Sequence, residues 1–323
     1  MRYLLIDTAN MFFRARHVVA KSVDSDTKLG LAIHVTLNSV AKVWREFKTD
    51  HVIFCLEGRS WRKDYYEPYK KNRVVARQAL TEREQEEDEL FWEVFTEFVT
   101  FLENKTNCSV IQNSVLEADD LIAGFIQNHP FDEHYIISSD SDFYQLITDN
   151  VKQYNGITDQ LITIDGIFNK KGDMVIDKKT KEPKEIPNPE WLLFEKCMRG
   201  DASDNVFSAY PRIRKNKLKE AFEDRTNQGF AWNNMMLQRW VDHNNIEHRV
   251  KDDYERNKRL IDLMEQPDNI REQMNETING ITAKKNTNVG IHFMKFCGRH
   301  NLQRLGDDAQ RFSEILNSSY SEA

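Results

Sequence analysis

Short, mainly apolar runs alternate with longer segments whose apolar residues recur every three or four positions through the first half of the chain. Arg2 to Ile6, His51 to Leu56, Cys108 to Gln112 and His134 to Ile137 are the short runs, and each predicts a buried strand. Val151 to Tyr154 and Leu161 to Ile164 look like further strands. Leu31 to Phe47 has helical spacing (Leu31, Val35, Ala41, Trp44), as does Glu82 to Leu102, acidic in its first turns and aromatic later. Another amphipathic helix should open at Glu117. Strands alternating with helices predict an α/β fold with a mostly parallel sheet. Phe168 to Pro189 breaks the pattern: it is rich in lysine, contains Gly172, and has Pro183, Pro187 and Pro189 near its end. It predicts a hairpin or mobile loop leading to a second domain. Beyond it the periodicity is helical throughout, clearest at Pro189 to Arg199, Ile213 to Phe222 and Tyr254 to Met264. The expected division is an α/β domain over 1–185 and a helical domain over 186–323.

Polar residues change the picture where the strands end. Asp7 follows the first strand, Glu57 the second, and Ser138-Ser139-Asp140-Ser141-Asp142 the His134 strand. Glu117, Asp119 and Asp120 stand at the start of a helix, where the dipole tolerates negative charge. Open α/β sheets bind ligands at the carboxyl ends of their strands. Acids gathered there repel one another unless a cation sits among them, and hard divalent ions prefer oxygen ligands. Each acid also has an ordinary reading. Asp119 and Asp120 could be first-turn helix acids, Asp140 and Asp142 part of a capped turn, Asp201 and Asp204 helix caps. Capping does not explain acids after three strands together with Gly200-Asp-Ala-Ser-Asp-Asn205. The full set is Asp7, Glu57, Glu117, Asp119, Asp120, Asp140, Asp142, Asp201 and Asp204. Two ions about 3.5–4 Å apart could use it for phosphodiester cleavage. Between the second strand and the long helix, about 59–90, lies a basic and aromatic stretch that includes Arg62, Tyr69, Lys70, Lys71, Arg73 and Arg77. A solvated basic helix would explain it. So would a single-strand-binding cover, with rings for bases and cations for phosphates.

Composition narrows this little. The 323 residues are 40% hydrophobic and 30% charged, as in a globular protein, and the net charge of −7 does not announce a nucleic-acid binder. No apolar run is long enough to span a membrane and no signal peptide is evident. Cys55, Cys108, Cys197 and Cys297 form no CxxC pair, which suits a reducing cytoplasm and argues against zinc.

Taken in order, Asp7, Tyr69-Lys-Lys-Asn-Arg73, Glu117-Ala-Asp-Asp120, Ser139-Asp-Ser-Asp142 and Gly200-Asp-Ala-Ser-Asp-Asn205 resemble the motifs of the 5′-nuclease, or flap endonuclease, superfamily. The resemblance covers roughly the first two-thirds of the chain. The helical tail with Tyr254-Glu-Arg-Asn-Lys-Arg-Leu-Ile-Asp262 is most similar to the T-even-type phage ribonuclease H subfamily. The resemblance implies a PIN-like sheet flanked by helices, with a helical carboxyl-terminal domain that grips duplex. It implies two Mg²⁺ ions, with Mn²⁺ as a substitute. It implies 5′-end-directed cleavage of DNA and RNA–DNA duplexes and flaps, and removal of RNA primers during phage DNA replication. Asp7, Glu117, Asp119, Asp120 and Asp140 are the first-choice ligands, with Glu57, Asp142, Asp201 and Asp204 acting directly or through water. Lys70 and Arg73 should steer and polarise the scissile phosphate, with Tyr69, Lys71 and Arg62 contacting the strand. The resemblance also implies a monomer in the cytoplasm of an infected host, with a single-strand-binding replication protein as partner.

Two departures stand out. The family usually has Asp where Glu57 stands. After the Asp204 motif it usually has a glycine-rich hairpin between helices that holds a monovalent cation. Here Asn205 to Lys217 lacks those glycines, a degenerate helix-hairpin-helix element in which Arg212, Arg214, Lys215 and Lys217 could meet phosphate directly. One rival is a non-catalytic binder of branched DNA, which Glu57 would favour. Another is a haloacid-dehalogenase-like phosphatase using Asp140-x-Asp142, which leaves the basic stretch unexplained.

Overall fold

The computed structural model describes residues 1–18, 25–184, 186 and 188–321. It divides into two compact units, the first made of Met1–Ser60, Leu80–Ile186 and Asn269–Ala323, the second of Trp61–Ala79 and Pro187–Asp268.

In the first unit, β1 (Arg2–Asp7), β2 (His51–Cys55), β3 (Ser109–Ile111), β4 (Glu133–Ile137), β5 (Val151–Asn155), β6 (Gln160–Thr163) and β7 (Gly166–Asn169) form one sheet in the order β3-β2-β1-β4-β5-β6-β7. β1 to β5 pair in parallel, and β6 and β7 are antiparallel additions. β1 is central because both its faces are covered. Leu4 and Ile6 point into a core built with the helices Ser25–Phe47, Glu82–Lys105, Val289–Arg299 and Ala309–Leu316. Side chains alternate along a strand, so Tyr3 points to the other face and meets Phe125 of the helix Ala118–Asn128, ring centroids 4.9 Å apart. Gly124 lets the helix Asp268–Asn279 come close, since a Cβ there would lie 2.4 Å from Met274 Sδ. Leu5 stands opposite Ile53 on one side and Ile136 on the other. The chain leaves β1 in one direction for β2 and β3 and returns to β4 on the opposite side. That makes β1/β4 the topological switch point, where such sheets bind ligands.

Two findings differ from expectation here. The sheet runs on to β7, where a hairpin or mobile loop was expected to begin at Phe168; past β7 the chain does fold back, with antiparallel bridges Phe168–Met174 and Ile176–Pro183. Gly166, at φ 141°, permits a short reversal after Thr163 that returns the chain to pair with β6. Residues 269–321, expected with the second domain, share the first unit's core. Phe296 stacks on Phe101 at 4.4 Å, and Phe293 and Phe312 are buried beside them. Each fully buried aromatic side chain of this kind contributes roughly 1.5–3 kcal/mol. Residue 185, the expected boundary, lies outside the described residues.

The second unit packs the helices Pro189–Arg199, Lys215–Asp224, Phe230–Leu237 and Val250–Ile261 around Phe194, Met198, Leu218, Met235 and Val250. Asn188 caps the first of these, with Pro189 at its first position. The unit is not all-helical as expected. β8 (Arg239–Val241) and β9 (Glu247–Arg249) form a hairpin in which Trp240 stacks on His248 at 4.3 Å and donates to the Ala209 carbonyl at 2.9 Å. No described helix in either unit is long and apolar enough to cross a membrane.

Candidate functional site

The strands of the first unit bring its acids to one edge. Asp7 is the last residue of β1 and lies in register with Cys55, the last of β2, so Glu57 follows close by. Glu57 Oε2 accepts from the Ala118 amide at 3.2 Å, which ties it to the amino end of the helix bearing Asp119 and Asp120. The connection is tight. Gly58 donates to the Leu116 carbonyl at 2.7 Å, and a Cβ on it would lie 2.1 Å from the Asn113 carbonyl oxygen, so only glycine fits. Asp120 accepts from the Glu117 amide at 3.1 Å, and both residues are buried. Asp140 follows β4 and caps the 3-10 helix Ser141–Leu146, its Oδ1 accepting from the Asp142 amide at 3.0 Å. The ordinary capping roles are therefore real, and they place the carboxylates without explaining why they gather.

Asp7 shows the electrostatic consequence. Its side chain is 2% exposed, and Ser138 Oγ donates to Oδ2 at 2.7 Å. Burial pushes its carboxyl up to about 8, the charges of Glu57 and Asp140 add to the shift, and the Ser138 bond opposes it. Burial likewise drives the Cys55 thiol well above its ordinary range, with Asp7, Asp119 and Glu57 contributing. Asp7 thus feels Glu57 and Asp140, and Cys55 beside it feels Asp7, Glu57 and Asp119. A cation there would turn the repulsion into attraction and favour the ionised form of Asp7. Among the described residues no three His, Cys, Asp or Glu side chains already close into a cage.

Asp201 and Asp204 belong to the second unit and meet cations of that unit. Gly200, at φ 77°, turns the chain so that Asp201 and Val206 form a bridge. Asp201 pairs with Lys196 at 2.8 Å and accepts from Ser203 Oγ at 2.6 Å. Burial alone would raise its carboxyl, but Lys196 and Ser203 outweigh it and hold Asp201 below the usual range. Asp204 accepts from Tyr69 Oη at 3.0 Å and pairs with Arg73 at 2.6 Å and Lys70 at 3.6 Å. Its carbonyl takes the Lys70 amide at 2.8 Å. Asn72 donates to the carbonyls of Ala202 and Ser203, and Asn205 to that of Pro68. Tyr69 to Arg73 and Gly200 to Asn205 are therefore one hydrogen-bonded element.

Two of the residues expected to contact nucleic acid are occupied otherwise. Arg62 is 1% exposed, donates Nε to the Leu260 carbonyl at 2.8 Å and lies over the Trp61 ring. Its guanidinium faces the interior, because a long basic side chain can bury itself where a carbonyl accepts it. Tyr69 is 5% exposed, packed with Cys197, Val206, Leu260 and Ile261, so its ring is core and does not present a face to bases. Lys71 is exposed and pairs with Glu67. Arg212, Arg214, Lys215 and Lys217 are all exposed around the start of the helix Lys215–Asp224, with Lys217 paired to Glu220 at 2.7 Å.

The structure adds residues that the motifs do not single out. Asn10 Oδ1 accepts from Ser139 N at 3.2 Å and Ser139 Oγ at 2.8 Å, joining the ends of β1 and β4. Ser138 and Gln153 are buried polar residues beside the same turn. The sequence signal for Ser138 is a polar residue directly after an apolar strand; Gln153, between Lys152 and Tyr154, has no such signal.

The profile of the family described as 5′-3′ exonuclease, N-terminal resolvase-like domain, matches residues 2–174. The ribonuclease H of Enterobacteria phage T4 is 30% identical over 197 residues, 57% of this chain and 55% of that protein. The flap endonuclease of Escherichia phage T5 is 25% identical over 206 residues, 63% of each chain. The DNA polymerase I of Rhizobium leguminosarum is 27% identical over 214 residues, 62% of this chain and 18% of the polymerase. The matched stretches span less than two thirds of each relative's own length. Among solved structures, the phage T5 5′-exonuclease with divalent zinc ions superposes with a TM-score of 0.62 at 18% identity, covering 86% of this chain and 98% of that one. A phage T5 flap endonuclease in a pseudo-enzyme-product complex with DNA and metal ions gives 0.55 at 16% identity, covering 97% and 100%. At these identities the likeness is one of fold.

Proposed function

The chain belongs to the 5′-3′ exonuclease family, and from that premise we propose that it is a two-metal-dependent 5′→3′ nuclease. Its substrates are the 5′ ends and flaps of DNA and RNA–DNA duplexes, its ions are Mg²⁺ with Mn²⁺ as substitute, and its task is RNA-primer removal in phage DNA replication. The observation that carries this reading is Asp7, buried at the switch point with Glu57 and Asp140 within electrostatic reach, while Glu57 and Asp119 act on Cys55, its partner in register. When bound, the two ions supply an activated water and charge for the leaving oxygen. Asp7, Glu117, Asp119, Asp120 and Asp140 hold them directly. Glu57 and Asp142 act directly or through water. Asp201 and Asp204 also act directly or through metal-bound water. Lys70 and Arg73 orient the scissile phosphate. Both already pair with Asp204, so a phosphate competes with that carboxylate for them. Lys71 adds a phosphate contact. The protein works as a monomer in the cytoplasm of an infected host, with a single-strand-binding replication protein as partner.

The test is cleavage of a 5′-flap duplex and of an RNA–DNA hybrid, each labelled at one end. Mg²⁺-dependent loss of nucleotides from the 5′ side, stopped by chelation, supports the reading. Tight binding without cleavage under any divalent ion would make the protein a branched-DNA binder instead.

Arg212, Arg214, Lys215 and Lys217 should hold duplex phosphates in place of a bound monovalent cation. Every phosphate that a side chain no longer neutralises lowers the salt slope of log K by about 0.9 for B-DNA. Arg214→Ala with Lys215→Ala should therefore weaken duplex binding and flatten its slope by up to about 1.8. Cleavage of a short single strand should change little. A K⁺-over-Na⁺ preference that survives both substitutions would point to a cation site instead.

A further inference from the structure

We propose that Gln153 is a positioning residue whose amide clamps the turn carrying Asp140 and so aims that carboxylate beside Asp7. The inference rests on the nuclease reading above. Gln153 stands on β5 opposite Ile136 of β4 and is 1% exposed. The residues paired with it on either side, Ile136 and Ile162, are apolar, so an amide is out of place there for packing alone. Both of its N–H donors are used on one turn. Nε2 donates to the Ser138 carbonyl at 3.0 Å and to the Asp140 carbonyl at 2.7 Å. β4 ends at Ile137, so beyond it the chain has no strand ladder to hold these carbonyls. The opposite amide orientation would set Oε1 against two carbonyl oxygens, so the acceptors fix the flip. In the orientation adopted, Oε1 is buried with no hydrogen-bond partner among the described residues. A buried polar atom left unpaired is a cost that natural folds concentrate at functional sites.

The clamp reaches both acids. Ser138 Oγ accepts from the Asp140 amide at 3.0 Å and donates to Asp7 Oδ2 at 2.7 Å. Asp140 is therefore held through its carbonyl by Gln153 and through its amide by Ser138. The hydroxyl that holds Asp140 is the same one that orients Asp7. Loosening the Ser138 and Asp140 carbonyls frees both carboxylates at once. Groups that orient ligands in this way are typically worth about 10–100-fold in metal affinity when removed.

Gln153→Met keeps the length and removes both donors. The test is Mn²⁺ titration by calorimetry on the full chain without substrate, with single-turnover cleavage and substrate affinity in Ca²⁺ alongside. The expected result is at least about tenfold weaker Mn²⁺ binding. The concentration of Mg²⁺ needed for half-maximal rate should rise by a similar factor, with substrate affinity in Ca²⁺ within twofold. If the methionine variant does not fold, Gln153→Asn carries the same expectation, because its amide is one methylene too short to reach both carbonyls. Wild-type Mn²⁺ affinity in a folded variant, with only a lower melting temperature, overturns the proposal and leaves the nuclease reading standing. A wild-type protein that binds no Mn²⁺ overturns both.

Discussion

Asp140→Asn should lower the single-turnover cleavage rate by at least about 10²–10³-fold, the scale on which one preorganised electrostatic group counts. Substrate affinity in Ca²⁺ should change little. The substitution is conservative for the fold, since asparagine keeps Oδ1 as acceptor for the Asp142 amide and the cap on Ser141–Leu146 survives. It removes one of the charges that raise the Asp7 carboxyl, so the metal-free variant should be no less stable than the wild type. Asp204→Asn should be milder if Asp204, tied to Lys70, Arg73 and Tyr69, acts through water and not as a direct ligand. Wild-type turnover by Asp140→Asn at saturating Mg²⁺ would remove Asp140 from the ligand set. An Asp204→Asn loss as large as that of Asp140→Asn would overturn the ranking.

Lys70→Ala should slow the chemical step by about 10²-fold while weakening substrate binding far less. Lys70 stands in the left-handed region at φ 55°, immediately before the helix Lys71–Gln78, with Nζ 5.1 Å from the Tyr69 ring centroid and 3.6 Å from Asp204. A cation held there by a carboxylate gains most where the phosphate carries more charge than Asp204 offers, which is in the transition state. Single-turnover kinetics at saturating enzyme separate rate from affinity. An unchanged rate with weaker binding would make Lys70 a phosphate tether only.

What could be read from the sequence divides along physical lines. The parallel strands were legible because strands buried on both faces leave continuous apolar runs, as Leu4 to Ile6 and Ile136 to Ile137 do. The acids at their ends followed directly, since the last residue of each run must sit at the carboxyl edge. β7 was not legible, because an edge strand of four residues has little pattern of its own and its register depends on Gly166. The hairpin at Trp240 was hidden for the same reason. Residues 269–323 have an ordinary amphipathic period, and periodicity does not say which core a helix joins. Arg62 and Tyr69 look like nucleic-acid contacts in a basic stretch, yet one guanidinium and one ring of that stretch complete the second unit's interior. Gln153 is one of three polar residues in β5, and its role depends on carbonyls 13 and 15 residues earlier in the chain.

Divalent ions at the carboxyl ends of β1, β2 and β4 are what the proposed chemistry requires. Anomalous scattering from crystals soaked in Mn²⁺ tests this directly. Two peaks are expected among Asp7, Glu117, Asp119, Asp120 and Asp140, with loss of at least one in Asp140→Asn. Full Mn²⁺ occupancy elsewhere, with no peak beside Asp7, would contradict the two-metal reading.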